Sequence, residues 1–131
     1  MTDIIIDSTS EEGFTTSSIV GDFELTIDAT GEDGPDPNAT LVATYASCFV
    51  PAFRVGAQQR DHDDLGRIEV ESEADLDDDD DLEAIRFTIK VAADLGDEVD
   101  EIVDRAEDIC HVHSALREGL HADVTVEDDA F

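Results

Sequence analysis

At 131 residues and 14.2 kDa the chain has the length of one domain, and its 40% apolar content, spread through periodic segments, excludes a disordered polyanion. Its 36 acidic residues against 7 Lys and Arg leave a formal charge of −29, which excludes nucleic acid and anionic membrane surfaces as partners, because both demand clustered cations. Such a surface suits concentrated salt, as in salt-accumulating halophiles, where a Debye length of about 3 Å at 1 M keeps distant carboxylates from repelling one another.

No stretch offers the ~18 to 20 unbroken apolar residues of a membrane span. Met1–Asp7 has neither the basic start nor the long apolar core of a secretion signal, so a cytoplasmic location and a single domain over residues 1–131 are expected. Reducing conditions there argue against a purely structural disulfide. The two cysteines, Cys48 and Cys110, are then metal ligands, reactive thiols or small core residues.

In chain order, Ile4–Ile6 is a short apolar run, and Phe14–Asp28 reads as a hairpin turning at Gly21 and Asp22. Phe23, Leu25 and Ile27 alternate with polar neighbours, the period of a half-buried strand. After a Gly/Asp/Pro loop, Asp36 stands as N-cap and Pro37 as first residue of a helix running from Asn38 to about Gln59. That helix is apolar nearly all round, with Leu41, Tyr45, Cys48, Ala52 and Val55 on one stripe, so it is expected to be largely buried. Pro51 is expected to kink or break it beside Cys48.

Two alternating strands follow, one carrying Ile68, Val70, Ser72 and Ala74 and the other Ile85, Phe87, Ile89 and Val91. Between them Asp77–Asp81 reads as a solvated hairpin tip, since the run lacks the ligand spacing and Gly of a calcium loop. A second helix is expected from Asp97, as N-cap, to Glu118, with Gly119 ending it and Cys110, His113 and Arg117 on about the same face. A strand over about His121–Val126 closes the chain, and His62 and His121 are expected at the surface. The order predicts an α+β fold, an antiparallel sheet with helices packed on one face.

Both cysteines thus fall on apolar helix faces. Helices packed at ~8 to 10 Å would bring them within reach of a disulfide, but two unrelated core cysteines fit the pattern equally. A metal set of Cys110, His111 and His113 fits poorly. Adjacent helical positions point about 100° apart, and neither CxxC nor HxxxH spacing occurs. No metal or cofactor is expected.

At these residues the sequence resembles the OsmC/Ohr family of thiol-dependent peroxidases. The matching stretches are Pro37-Asn38-Ala39-Thr40-Leu41-Val42-Ala43-Thr44-Tyr45-Ala46-Ser47-Cys48-Phe49, similar to the family's reactive-cysteine helix, and Ala106-Glu107-Asp108-Ile109-Cys110-His111-Val112-His113-Ser114-Ala115-Leu116, similar to its second-cysteine helix. The resemblance implies antiparallel sheets with buried helices, in an intertwined homodimer with a cleft at the subunit interface. It implies that Cys48 attacks a hydroperoxide and becomes a sulfenic acid, that Cys110 resolves it, and that a dithiol or low-molecular-weight thiol resets the disulfide. Leu41, Tyr45, Phe49 and Phe53 would then suit an apolar substrate tail.

The chain departs from the family at its activating residues. Asn38 stands where the family places a Glu ten residues before the reactive cysteine, and no Arg precedes Arg54. Candidate replacements are Asp36, Asn38, His113 and Arg117, with Arg54 and His111 as further donors of positive charge. A rival reading is a non-peroxidatic relative that binds a small apolar or thiol ligand at the dimer cleft, and a third is an interaction module with inert core cysteines.

Overall fold

A computed structural model describes residues 2–131 and divides the chain into two compact units, one ending at Leu41 and the other covering Val42–Phe131. The first holds β1 (Ile6–Thr9), β2 (Thr15–Val20) and β3 (Phe23–Asp28) in one antiparallel sheet, ordered β1-β2-β3. Val20 pairs with Phe23 across the expected two-residue turn, where Gly21 takes φ +62°, a left-handed conformation that side chains disfavour.

The register places Ile6, Val20, Phe23, Leu25 and Ile27 on one face of this sheet. The face is apolar as its alternation predicts, but it is not buried. Phe23 is 74% exposed and Leu25 45%. The expectation of a half-buried β3 is therefore corrected, since within one chain the strand covers only its last residues.

Asp28, at the end of β3, is buried and organises the loop that follows. Its carboxylate accepts the N–H and hydroxyl of Thr30 at 2.9 and 2.8 Å and the N–H of Asp33 at 3.0 Å. The amides of Asp33 and Thr30 hold this carboxyl down at about 2. Gly34 packs so closely on β3 that a Cβ there would lie 2.4 Å from the Thr26 carbonyl oxygen.

Helix α1 (Pro37–Gln58) begins in the first unit and continues into the second. Asp36 caps it as expected, accepting the Ala39 N–H at 2.7 Å. It stays helical through Pro51, so the expected break is absent. By length and mean hydropathy (1.2) α1 would pass for a membrane span, contrary to the reading from unbroken runs. Its Tyr45, Phe49 and Phe53 are nonetheless buried, which marks it as a core helix.

In the second unit β4 (Ile68–Leu76) and β5 (Leu82–Val91) form the expected antiparallel pair, with Val70 opposite Ile89 and Ser72 opposite Phe87. β5 is the centre of the core, its Leu82, Ile85, Phe87, Ile89 and Val91 all buried. The rings of Tyr45 and Phe49 meet Phe87 at centroid distances of 4.8 and 5.6 Å. The Asp run forms the exposed tip, where one oxygen of Asp77 accepts the N–H groups of Asp79 and Asp81. Carboxylates of Asp77, Asp79 and Asp81 gather there within 4.8 Å, and one Asp77 oxygen is engaged by the turn.

The second helix differs from its expected outline. α2 spans Val99–Ile109 with Glu98, not Asp97, at its N-cap, and Cys110 leaves the helical region (φ −68°, ψ 112°) before α3 (His111–Ala115) begins. A 3₁₀ turn over Glu118–Leu120 then leads to β6 (Asp123–Glu127). β6 runs parallel to β5, so this sheet is mixed and not purely antiparallel. A parallel neighbour requires a long crossover, and α2 and α3 supply it.

Candidate functional site

The break at Cys110 builds the site. Its N–H closes α2 on the Ala106 carbonyl at 2.9 Å, while its Sγ accepts the N–H of His113 at 3.4 Å and so caps α3. This is the side-chain half of a capping box, with sulfur in place of the usual hydroxyl. The first turn of α3 therefore presents its backbone N–H groups beside the Cys110 sulfur, which is fully buried.

Cys48, half-buried on α1, meets that turn. Burial pushes its thiol up, but the N–H of Val112, the Cys110 thiol and the N–H of His111 all bond the sulfur, and the net shift is downward. Cys110 goes the other way. Burial, its bond to Cys48 and the charge of the Cys48 thiolate push it up to about 11. One thiol is half-buried and shifted toward easier ionisation, and its neighbour is fully buried and shifted away from it.

Behind the pair lies a neutral polar network. The Tyr45 hydroxyl, one helical turn before Cys48, donates to Nδ1 of His113 at 2.6 Å and accepts the N–H of Ala122 at 3.0 Å. Burial raises Tyr45, and burial together with His121 lowers His113, so both stay uncharged. The imidazole proton then sits on Nε2, 3.8 Å from Glu107. His121 stacks on His113 with ring centroids 3.8 Å apart and bonds the Leu116 carbonyl at 3.1 Å. Burial raises the Glu107 carboxyl as well.

The candidate residues named from sequence divide among several places. Cys48, Cys110, Tyr45 and His113 come together. Phe49 and Phe53 fill the core, and with Tyr45 they are at most 1% exposed, so these rings back the site and do not line an opening in this chain. Asp36, Asn38 and Leu41 belong to the first unit. Arg117 lies beyond α3 and donates to the Leu82 carbonyl at 2.8 Å, while Arg54 donates to that of Gly66 at 3.0 Å. No arginine figures among the groups that lower the Cys48 thiol. His121, expected at the surface, belongs to the network. His62 bonds Glu98 at 3.0 Å.

Sequence reasoning missed the amides of His111 and Val112, Glu107 and His121. The signal for the first pair was a Cys-x-x-His spacing that mimics a capping box, and Glu107 and His121 carried none.

The sequence model of the OsmC-like protein family matches residues 29–125, which include both cysteines. The chain belongs to this family. An uncharacterized protein of Haloferax volcanii is 61% identical over the full length of both chains. Among solved structures, the OsmC-like protein of Mycoplasma pneumoniae superposes with a TM-score of 0.79 at 18% identity, covering 97% of this chain and 96% of its own. The organic hydroperoxide resistance protein OhrB of Bacillus subtilis gives 0.70 at 19% identity, with 96% and 98% covered. At such identities the two structures establish the α+β OsmC-like fold, and the Haloferax relative accords with a surface adapted to salt.

Proposed function

We propose that this OsmC-like protein is a cytoplasmic, homodimeric thiol peroxidase acting on organic hydroperoxides or hydrogen peroxide. The observation that carries the reading is the contact between a half-exposed Cys48, favoured as thiolate, and a buried Cys110 that keeps its proton. The Cys48 thiolate attacks the outer oxygen of the hydroperoxide. The O–O bond breaks, the alkoxide leaves and takes up a proton, and Cys48 becomes a sulfenic acid. Cys110 then attacks the Cys48 sulfur, an S–S bond forms, and hydroxide departs as water with the Cys110 proton. A dithiol or low-molecular-weight thiol supplies the two electrons that restore both thiols.

The second copy is supported by the first sheet, whose face of Ile6, Val20, Phe23, Leu25 and Ile27 a single chain leaves open. Leu41 and the exposed side of α1 around Cys48 are the parts available to an apolar substrate tail. The family match runs across the boundary between the units, which supports reading residues 1–131 as one domain.

The test is loss of thiol on adding hydroperoxide at multimolar salt. Wild type loses two thiols per chain, Cys48→Ser does not react, and Cys110→Ser accumulates a sulfenic acid that a dimedone-type reagent traps. An unreactive wild type would sink the proposal. Among the described residues no cation figures in the lowering of the Cys48 thiol, which favours a second reading, a non-peroxidatic binder of a small apolar or thiol ligand. In that case ligand affinity survives in both variants while peroxide consumes no thiol.

A further inference from the structure

α3 is five residues long and far too short to hold its place by helix propensity alone. Its amides nevertheless have to meet a sulfur on another helix. Interactions of α3 with Cys48 and with Tyr45 lie one turn apart on α1. Cys48 receives the N–H groups of His111 and Val112, and Tyr45 donates to His113 at 2.6 Å.

We propose that Tyr45 and His113 are positioning residues for the Cys48 thiolate, their hydrogen bond pinning α3 to α1 so that the His111 and Val112 amides stay on the sulfur. The pin is braced on every side. Ala122 donates to the Tyr45 oxygen at 3.0 Å, His121 stacks on the far face of His113, Glu107 lies 3.8 Å from Nε2, and the His113 N–H is itself fixed on Cys110. Tyr45 is fully buried, and the edges of its ring pack on Phe49 and Phe87, so its hydroxyl has little freedom to seek another partner. A tyrosine on the core face of α1 thereby does by geometry what a nearby cation would do by charge.

This inference deepens the peroxidase reading and rests on it for its purpose, but its test needs no peroxide. The rate of Cys48 alkylation is followed against pH at multimolar salt, with the site resolved by mass spectrometry, on the full chain. Tyr45→Phe keeps the ring and its packing and removes only the hydroxyl. Its Cys48 titration midpoint moves upward, and alkylation near pH 7 slows on the order of tenfold, the size of one hydrogen bond to a charged group. His113→Asn retains an acceptor near the position of Nδ1 and keeps a midpoint close to wild type, whereas His113→Ala shifts like Tyr45→Phe. Were Tyr45→Phe unable to fold, the two His113 variants alone decide.

A purely structural role would lower the unfolding midpoint in these variants and leave the Cys48 titration where it is. An unmoved titration in Tyr45→Phe, or equal titrations in His113→Asn and His113→Ala, overturns the proposal. A wild-type Cys48 that titrates like a free thiol overturns it too. A low-titrating wild type that ignores hydroperoxides removes the peroxidase reading and leaves this one standing.

Discussion

If the proposed redox pairing holds, oxidising Cys48 and Cys110 to a disulfide should stabilise the chain, and the size of the effect follows from their separation. The bond closes a loop of about 62 residues, for which the loss of denatured-state entropy amounts to about 4 kcal/mol at 25 °C. Against this, the N–H groups of Val112 and His111 lose part of their bonding to the Cys48 sulfur, at a cost of about 1–2 kcal/mol. The two thiols already interact in the reduced chain, so closing the bond asks for little movement. The net gain is about 2–3 kcal/mol, or roughly 10 °C in Tm for a chain of this length. The assay compares thermal and urea unfolding of reduced and peroxide-oxidised protein at one protein concentration in multimolar KCl, with nonreducing electrophoresis to show that no chains are cross-linked. Cys110→Ser should show no oxidant-induced shift. Coincident transitions for the two wild-type forms, or a less stable oxidised form, would refute the adjacency on which the redox reading stands.

Four further outcomes follow from particular contacts. Asp28 titrates lower when folded than the 3.8 expected of a free carboxyl, so its stabilising effect is present above about pH 4 and is lost as pH falls through about 2. The gap in Tm between wild type and Asp28→Asn should therefore narrow across that window, and a constant gap would rule out the carboxylate as the cause. Phe87→Ala empties the centre of the core against Tyr45 and Phe49 and should cost about 3–5 kcal/mol in urea titrations; a loss below about 1 kcal/mol contradicts that packing. Phe23→Asp on the open sheet face should convert dimers to monomers in light scattering, and an unchanged mass would move the interface elsewhere. With 36 acidic residues, Tm should fall as KCl is diluted from molar to about 0.1 M, where the Debye length grows from about 3 to about 10 Å; sucrose in place of KCl should not prevent the fall.

The parts of the fold that the sequence made legible are those decided by local pattern. Alternation located β3, β4 and β5, and Gly21 and Asp36 marked a turn and a cap that lie where expected. What local pattern does not encode is the partner of an apolar face. Phe23, Leu25 and Ile27 announce a buried stripe, yet Phe23 and Leu25 are exposed, and the pattern does not say what would cover them. The break at Cys110 was hidden for a different reason. Nothing in the run from Ile109 to Leu116 disfavours helix, so the apolar period continues across a residue whose backbone is extended. The cap that compensates for the break uses sulfur, an unusual N-cap acceptor. The same break removed Arg117 from the helix face on which it had been placed, and with it one apparent source of positive charge.

The proposed dependence of the site on amides accords with the solvent that the surface implies. In molar salt a charge more than about 3 Å away is largely screened, so a guanidinium held at the rim of an open site contributes little to a thiolate. A hydrogen bond made in direct contact with the sulfur is short-ranged and partly shielded from ions by the protein around it. The chain has 7 Lys and Arg in total, and each that approached Cys48 would face competition from 36 carboxylates and from dissolved anions. N–H groups of α3 are neutral, carry no counterion and cannot be drawn off to a neighbouring Asp. Under that proposal, replacing charge by oriented amides transfers the demand from electrostatics to geometry, which the Tyr45–His113 bond and the Cys110 cap would supply. It follows that Cys48 reactivity should vary little between about 1 and 4 M KCl while the fold holds. A steep decline over that range would mean that an unscreened charge, and not the α3 amides, sustains the thiolate.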